Sequence, residues 1–201
     1  MILNHIWGLY AHPKEEWHTI EKRHESLTYS LIHILVVASI PAICSYFATA
    51  HIGWSIGAGD LIKLPESAAM LMSAAMYAGL VVGVFGLAYL IQWMAVTFDA
   101  KPDFTQCLEL AAYTSTPLLM VGLTALYPVL WFMTIAGLGA LSYSVYLLYS
   151  GVPIMMNIPE EKGFIYASSV VTCGLVLLVT LMAASAILFG MGFGSDYIVS
   201  T

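Results

Sequence analysis

One stretch of this chain limits its fold more than any other. Residues 27–50 hold no Asp, Glu, Lys or Arg. A helix of roughly 20 mostly apolar residues crosses the ~30 Å of hydrocarbon in a bilayer, so this run is long enough to span one. Further apolar runs cover residues 68–98 and 104–149, and a last one covers 164–191. The run from 104 to 149 is too long for a single crossing. Tyr127-Pro128 divides it, because proline has no N–H to give to the helical ladder. The expected spans are therefore 27–50, 68–98, 104–127, 128–149 and 164–191. A four-span alternative keeps Pro128 as a kink, which membrane helices tolerate.

Composition matters at this point because it excludes a soluble alternative. Apolar residues make up 60% of the chain and charged residues 9%, against about one quarter charged in an average soluble domain. Too few polar side chains exist to cover a water-facing surface. The expected fold class is all-α: a polytopic membrane protein with five transmembrane helices. Residues 1–26 form a cytoplasmic or interfacial segment, and 27–201 form the transmembrane domain. The first 26 residues read as a polar helix and not as a cleavable signal.

Charge gives the threading. Lys14, Lys22 and Arg23 precede the first span, Lys101 lies between the second and third, and Lys162 lies between the fourth and fifth. Only Lys63 falls on the other side. Positive loops stay in the cytoplasm, so the expected N-terminus is cytoplasmic and the C-terminus is on the far face. The net charge is −6 and no basic face is evident, so nucleic acid is not an expected partner.

Local signals support these boundaries. Asp103-Phe-Thr-Gln106 fits a capping box that opens the third span. Pro13 and Pro159 stand where a first helical turn would begin, each followed by acids. Trp17 and Ile20 share one helical face of residues 13–26, which suits a helix on the membrane surface or a cap packed on the bundle. Trp54, Trp93, Tyr127, Trp131, Tyr149 and Tyr166 gather near the expected interfaces.

Candidate functional residues fall into three groups. The first is within the membrane. His33 lies in the first span, Gln92 in the second and Glu109 in the third, followed by Tyr113-Thr-Ser-Thr-Pro117. Ionisable groups in spans are functional candidates, although His33 also reads as a hydrogen-bonded structural residue. Pro117 and Pro41 read first as kinks whose freed carbonyls are met by nearby hydroxyls. The second group lies on the cytoplasmic side and combines His12, Pro13, Glu16 and Trp17 with Gly151, Pro153, Glu160 and Glu161. Here Gly151 to Pro159 reads as a defined turn between the fourth and fifth spans. The third is Gly79 and Gly83, followed by Gly86, a small-residue stripe suited to close helix packing or to a homodimer.

All six histidines lie in the first 51 residues: His5, His12, His18, His24, His33 and His51. Their spacing does not suggest a metal site, though His18 and Glu21 could share a helix face. Cys44, Cys107 and Cys173 read as small buried hydrophobes. No H-E-x-x-H or serine–histidine motif appears, so neither an enzyme nor a cofactor is expected.

Several motifs occur in the order found in a known family. They are Trp7-Gly-Leu-Tyr-Ala-His-Pro-Lys-Glu-Glu-Trp17, His51-Ile-Gly-Trp54, Ala112-Tyr-Thr-Ser-Thr-Pro117, Ala125-Leu-Tyr-Pro128 and Tyr146-Leu-Leu-Tyr-Ser-Gly-Val-Pro153, followed by Pro159-Glu-Glu-Lys162. The chain resembles the Yip family of integral membrane proteins in its bacterial YohC-like inner-membrane branch, over nearly its whole length. The resemblance implies a single Yip-type domain, five membrane helices and a multi-pass place in a bacterial inner membrane. Eukaryotic members interact with Ypt/Rab GTPases, but this chain lacks their long acidic-aromatic N-terminal region, so that role is not carried over. The family supplies no catalytic residue. The expected function is non-enzymatic organisation of membrane partners or lipids. The alternative is a small-solute or metal-ion permease with a polar path along His33, Gln92, Glu109 and Tyr113 to Thr116.

Overall fold

The computed structural model describes residues 8–23, 26–53, 61–190 and 198–200; the expectations for His5, His24 and Trp54 lie outside them. Helices run in the order α1 (Pro13–Arg23), α2 (Leu27–Phe47), α3 (Glu66–Ala95), α4 (Phe104–Met120), α5 (Leu130–Met155) and α6 (Glu160–Gly190). Strands β1 (Leu61–Lys63) and β2 (Ile198–Ser200) form a short antiparallel pair, with Lys63 opposite Ile198. Among the described residues, four helical stretches are long and apolar enough to cross a membrane: Leu27–Ile52, Glu66–Phe98, Leu130–Met155 and Glu160–Thr180. The chain is an all-α polytopic membrane protein.

The third expected span is built differently from the others. α4 has 17 α-helical residues and continues as a tighter 3-10 turn over Val121–Leu126. At ~1.5 and ~2.0 Å rise per residue the two pieces together reach ~38 Å. Every residue from Cys107 to Thr114 is buried, because α4 is surrounded by α2, α3 and α5. Its N-terminus shows the expected capping box: the Phe104 N–H donates to Asp103 Oδ1 at 2.7 Å, and the Asp103 N–H donates to Gln106 Oε1 at 2.9 Å. Beyond it, Gly122 lies against Pro41 of α2; a Cβ on Gly122 would come within 2.5 Å of Pro41 Cα. Two helix-breaking residues thus meet where the backbones need to be close.

The α5–α6 corner departs from expectation. Gly151 and Pro153, expected in the turn, lie inside α5, which runs on to Met155. Proline removes only one ladder bond, and membrane helices absorb that loss. The turn is made later by Asn157, in the left-handed region at φ 50°. Its N–H donates to the Ile154 carbonyl at 3.2 Å, and the Ile158 N–H reaches back to Pro153 at 3.1 Å. This is a Schellman closure with asparagine in the place glycine usually takes. Asp99, at φ 59°, ends the 3-10 turn Val96–Phe98 that extends α3, and the Ala100 N–H reaches back to the Ala95 carbonyl at 3.0 Å.

The outer faces of α3 and α5 show Met70, Leu71, Val82, Tyr89, Trp93, Leu130, Trp131 and Ile135. Water would penalise such a surface, whereas hydrocarbon solvates it. Gly79, Gly83 and Gly86 lie on open ground: a Cβ at any of them would meet no atom within 4 Å. Packing of this stripe inside one chain is therefore not what these glycines serve.

Candidate functional site

α1 is held along α5 and does not lie apart from the bundle. Trp17 and Ile20 are fully buried. The Trp17 indole N–H donates to Ser150 Oγ at 3.2 Å, and Ser150 passes its own hydrogen to the Leu147 carbonyl at 3.0 Å. Nearer the start of the chain, the Tyr143 hydroxyl donates to the Leu9 carbonyl at 2.7 Å, and the Tyr10 and Tyr143 rings stack at 5.1 Å. Burial against this stack raises the Tyr10 hydroxyl above the ordinary tyrosine value. Leu9 pairs with Tyr143 and Trp17 with Ser150, so both chain segments advance in the same direction. Gly151 makes the approach possible: a Cβ there would lie 2.7 Å from the Trp17 ring and 2.8 Å from Leu110.

Beneath Trp17 is a buried polar cluster. Tyr113 meets Trp17 edge-on at 6.3 Å and the His33 ring at 4.8 Å. His33 Nε2 lies 2.9 Å from Thr116 Oγ1, and the Thr116 hydroxyl also lies 2.9 Å from the Ala112 carbonyl. With its hydrogen on the Ala112 carbonyl, the Thr116 hydroxyl accepts from His33 in the tautomer protonated at Nε2. Thr114 bonds back to Leu110 at 2.6 Å. The hydroxyls before Pro117 thus bond back within α4, and one of them also ties α4 to α2. His33 and Glu109 are each 1% exposed. Gln92 is half-buried on α3, one position beyond Ile91, whose carbonyl accepts the Tyr166 hydroxyl.

A groove of about 590 Å³ opens beside α1. Lys14, His18 and Glu21 form one wall, a single stripe at i, i+4 and i+7. Tyr146, Tyr149, Ser150, Pro153 and Ile154 form the α5 side, and Asn157, Ile158, Glu160 and Phe164 close the corner. The same corner is packed tightly from behind, where a Cβ on Gly163 would meet Pro153 at 2.9 Å. At this end of the bundle, Lys162 Nζ pairs with Asp99 Oδ2 at 2.8 Å. That hydrogen bond, and then the lysine charge, hold the Asp99 carboxyl below its usual range.

The residues expected from sequence are distributed as follows. His33, Tyr113 and Thr116 come together, while Thr114 and Pro117 lie buried on the same helix. Trp17 and Gly151 touch each other inside the protein. Pro153 and Glu160 line the groove. His12 and Glu161 are exposed, Pro13 is half-buried, and the half-buried Glu16 carboxylate rests against Gly8. Sequence reasoning missed Lys14, Tyr146, Asn157 and Phe164 as groove residues, and it noted His18 and Glu21 only as a possible metal pair. The i, i+4, i+7 spacing was the available signal. Among the described residues no group of three or more His, Cys, Asp and Glu side chains is placed to hold a metal.

The Yip1 domain profile matches residues 7–181. The inner membrane protein YohC of Escherichia coli strain K12 is 36% identical over 192 residues, covering 95% of this chain and 98% of that protein. The protein of the same name from Escherichia coli O6:H1 matches to the same extent. No solved structure matches.

Proposed function

The chain belongs to the Yip family, and on that premise we propose that it is a non-enzymatic inner-membrane protein that organises lipids or membrane partners through the groove beside α1. The observation that carries this reading is the groove itself. It is open, it bears charges of both signs, and tyrosines and a phenylalanine flank it. It contains Pro153 and Glu160 of the expected contact surface, while Trp17 and Gly151 support it from beneath.

Five crossings with a cytoplasmic N-terminus fit this reading. Asp99 follows α3 and Lys162 opens α6, yet the two form an ion pair. Only α4 and α5 lie between them, and α5 is long and apolar enough to cross, so a crossing by α4 would bring the two ends to one face. The β1–β2 pair supports the same count, since α3 to α6 lie between those strands. The groove would then face the cytoplasm with Lys14, Lys22, Arg23, Lys101 and Lys162.

The test is purification of the full chain with Ile154→Trp, which fills the groove. Wild-type protein should carry lipids or proteins that the variant loses, while both insert equally. Identical co-purified material would overturn the reading. The permease alternative has the buried His33–Tyr113–Thr116 link in its favour. It predicts solute flux into liposomes that His33→Ala abolishes, and equal flux in wild type and variant would remove it.

A further inference from the structure

We propose that the groove beside α1 receives the headgroup of an aminophospholipid, with its phosphate at Lys14 and its primary ammonium between Glu21 and Glu160. This rests on the groove being the working surface argued above, and it specifies the occupant.

Charge makes the choice. The ionised side chains lining the groove are one lysine and two glutamates. A purely anionic headgroup would meet the lysine but face two carboxylates. A cation alone would leave the lysine opposed. A zwitterion that carries both phosphate and ammonium satisfies each sign, and charge-assisted bonds of this kind are the strong ones. A primary ammonium has three N–H donors for two carboxylates, whereas a quaternary ammonium has none. The exposed Asn157 side chain and the His18 ring stand in the same lining and can bond phosphate or glycerol oxygens.

Position makes the occupant a lipid. Tyr146 is 47% exposed and Phe164 62% exposed, and both are groove-lining residues on helices that continue into the apolar bundle. The Phe164 ring lies 5.2 Å from that of Tyr149. Aromatic side chains favour the headgroup level of a bilayer, and this pair offers an apolar path for acyl chains leaving the groove. About 590 Å³ falls within the range of small-molecule sites, roughly 300–1,000 Å³. That is room for a phosphoethanolamine and part of its glycerol.

The groove is built on a rigid support. α1 is fixed to α5 through Trp17 and Tyr143, and the corner is closed by Asn157. The helices that carry the lining charges are therefore in place before a ligand arrives, and only the exposed side chains remain to be ordered.

The experiment uses the full chain, delipidated in detergent and reconstituted into nanodiscs of defined composition. Retained lipid is read by native mass spectrometry. Wild type should retain phosphatidylethanolamine several-fold over phosphatidylglycerol and phosphatidylcholine. Lys14→Glu should weaken that retention, and Glu160→Lys should turn the preference toward phosphatidylglycerol. Both positions are at the surface, and an unchanged melting temperature in each variant shows that the fold is intact. Equal retention of the three lipids by wild type, or an unchanged preference in Glu160→Lys, overturns the proposal. So does displacement by free glycerophosphoethanolamine at the same concentration as the lipid, which would make the ligand a soluble one. If Ile154→Trp changes co-purified proteins while lipid retention stays unselective, the lipid assignment fails and the groove reading stands. If it changes neither, both fail.

Discussion

Gly151 and Gly83 are the same residue in opposite surroundings. At Gly151 a single added carbon would lie 2.7 Å from the Trp17 ring, and at Gly83 it would meet nothing within 4 Å. The α1 end of the molecule is closed by contact: Trp17, Gly151 and Leu110 form a layer with no room to spare, and Gly163 on Pro153 continues it. The outer face of α3 relies on the bilayer to fill its spaces. A glycine in this protein therefore has no fixed meaning. Where helices touch it permits approach, and where lipid is the neighbour it only leaves backbone uncovered.

Several measurements would break or sharpen that contrast. Trp17→Ala should have the largest effect, a loss of about 3–5 kcal/mol typical of a large buried side chain, read as a lower melting temperature and as protease access to α1. Gly151→Ala should cost about 1–3 kcal/mol through overpacking. A silent Gly151→Ala would mean that Trp17 moves freely. Thr116→Val leaves the His33 donor without its acceptor and should cost about 1–3 kcal/mol, with the α2–α4 pair loosening first in hydrogen exchange. Gly83→Ala should stabilise by roughly 0.5–1 kcal/mol, because alanine is the better helix former. A clear destabilisation there would show that something covers the face, a second copy of the chain being one candidate, and cross-linking would test it.

The smallest effect concerns pH at the Asp99–Lys162 pair. The folded carboxyl titrates below its ordinary value. Its contribution is therefore complete above that ordinary value and fades as pH falls through the lowered one. Both side chains are exposed, at 51% and 81%, so the gain is small. The difference in melting temperature between wild type and Asp99→Asn should be slight at pH 7 and vanish in strong acid.

Much of this was legible because the solvent imposes it. A span must be long, apolar and uncharged, so α2, α3 and α6 could be located within a few residues. The Asp103 cap is equally local and could be read directly. α5 was placed too short because Gly151 and Pro153 are turn residues in water, while in a membrane bundle one missing ladder bond is tolerated and the glycine is needed for Trp17. The groove needs α1, α5 and the α5–α6 corner together, and no local pattern encodes that meeting. The openness of Gly79 and Gly83 was invisible for the same reason: a small-residue stripe looks alike whether it is covered or bare.

The hydrogen bond from Trp17 to Ser150 joins residues 133 positions apart, which has a consequence for how the protein is made. α1 leaves the ribosome before α2 to α6, yet the surface that receives it is not complete until α5 has been inserted. During that interval an amphipathic segment with an uncovered tryptophan must wait at the membrane boundary. α1 is thus made well before the helix that receives it, and a chain halted before α5 would leave it undocked.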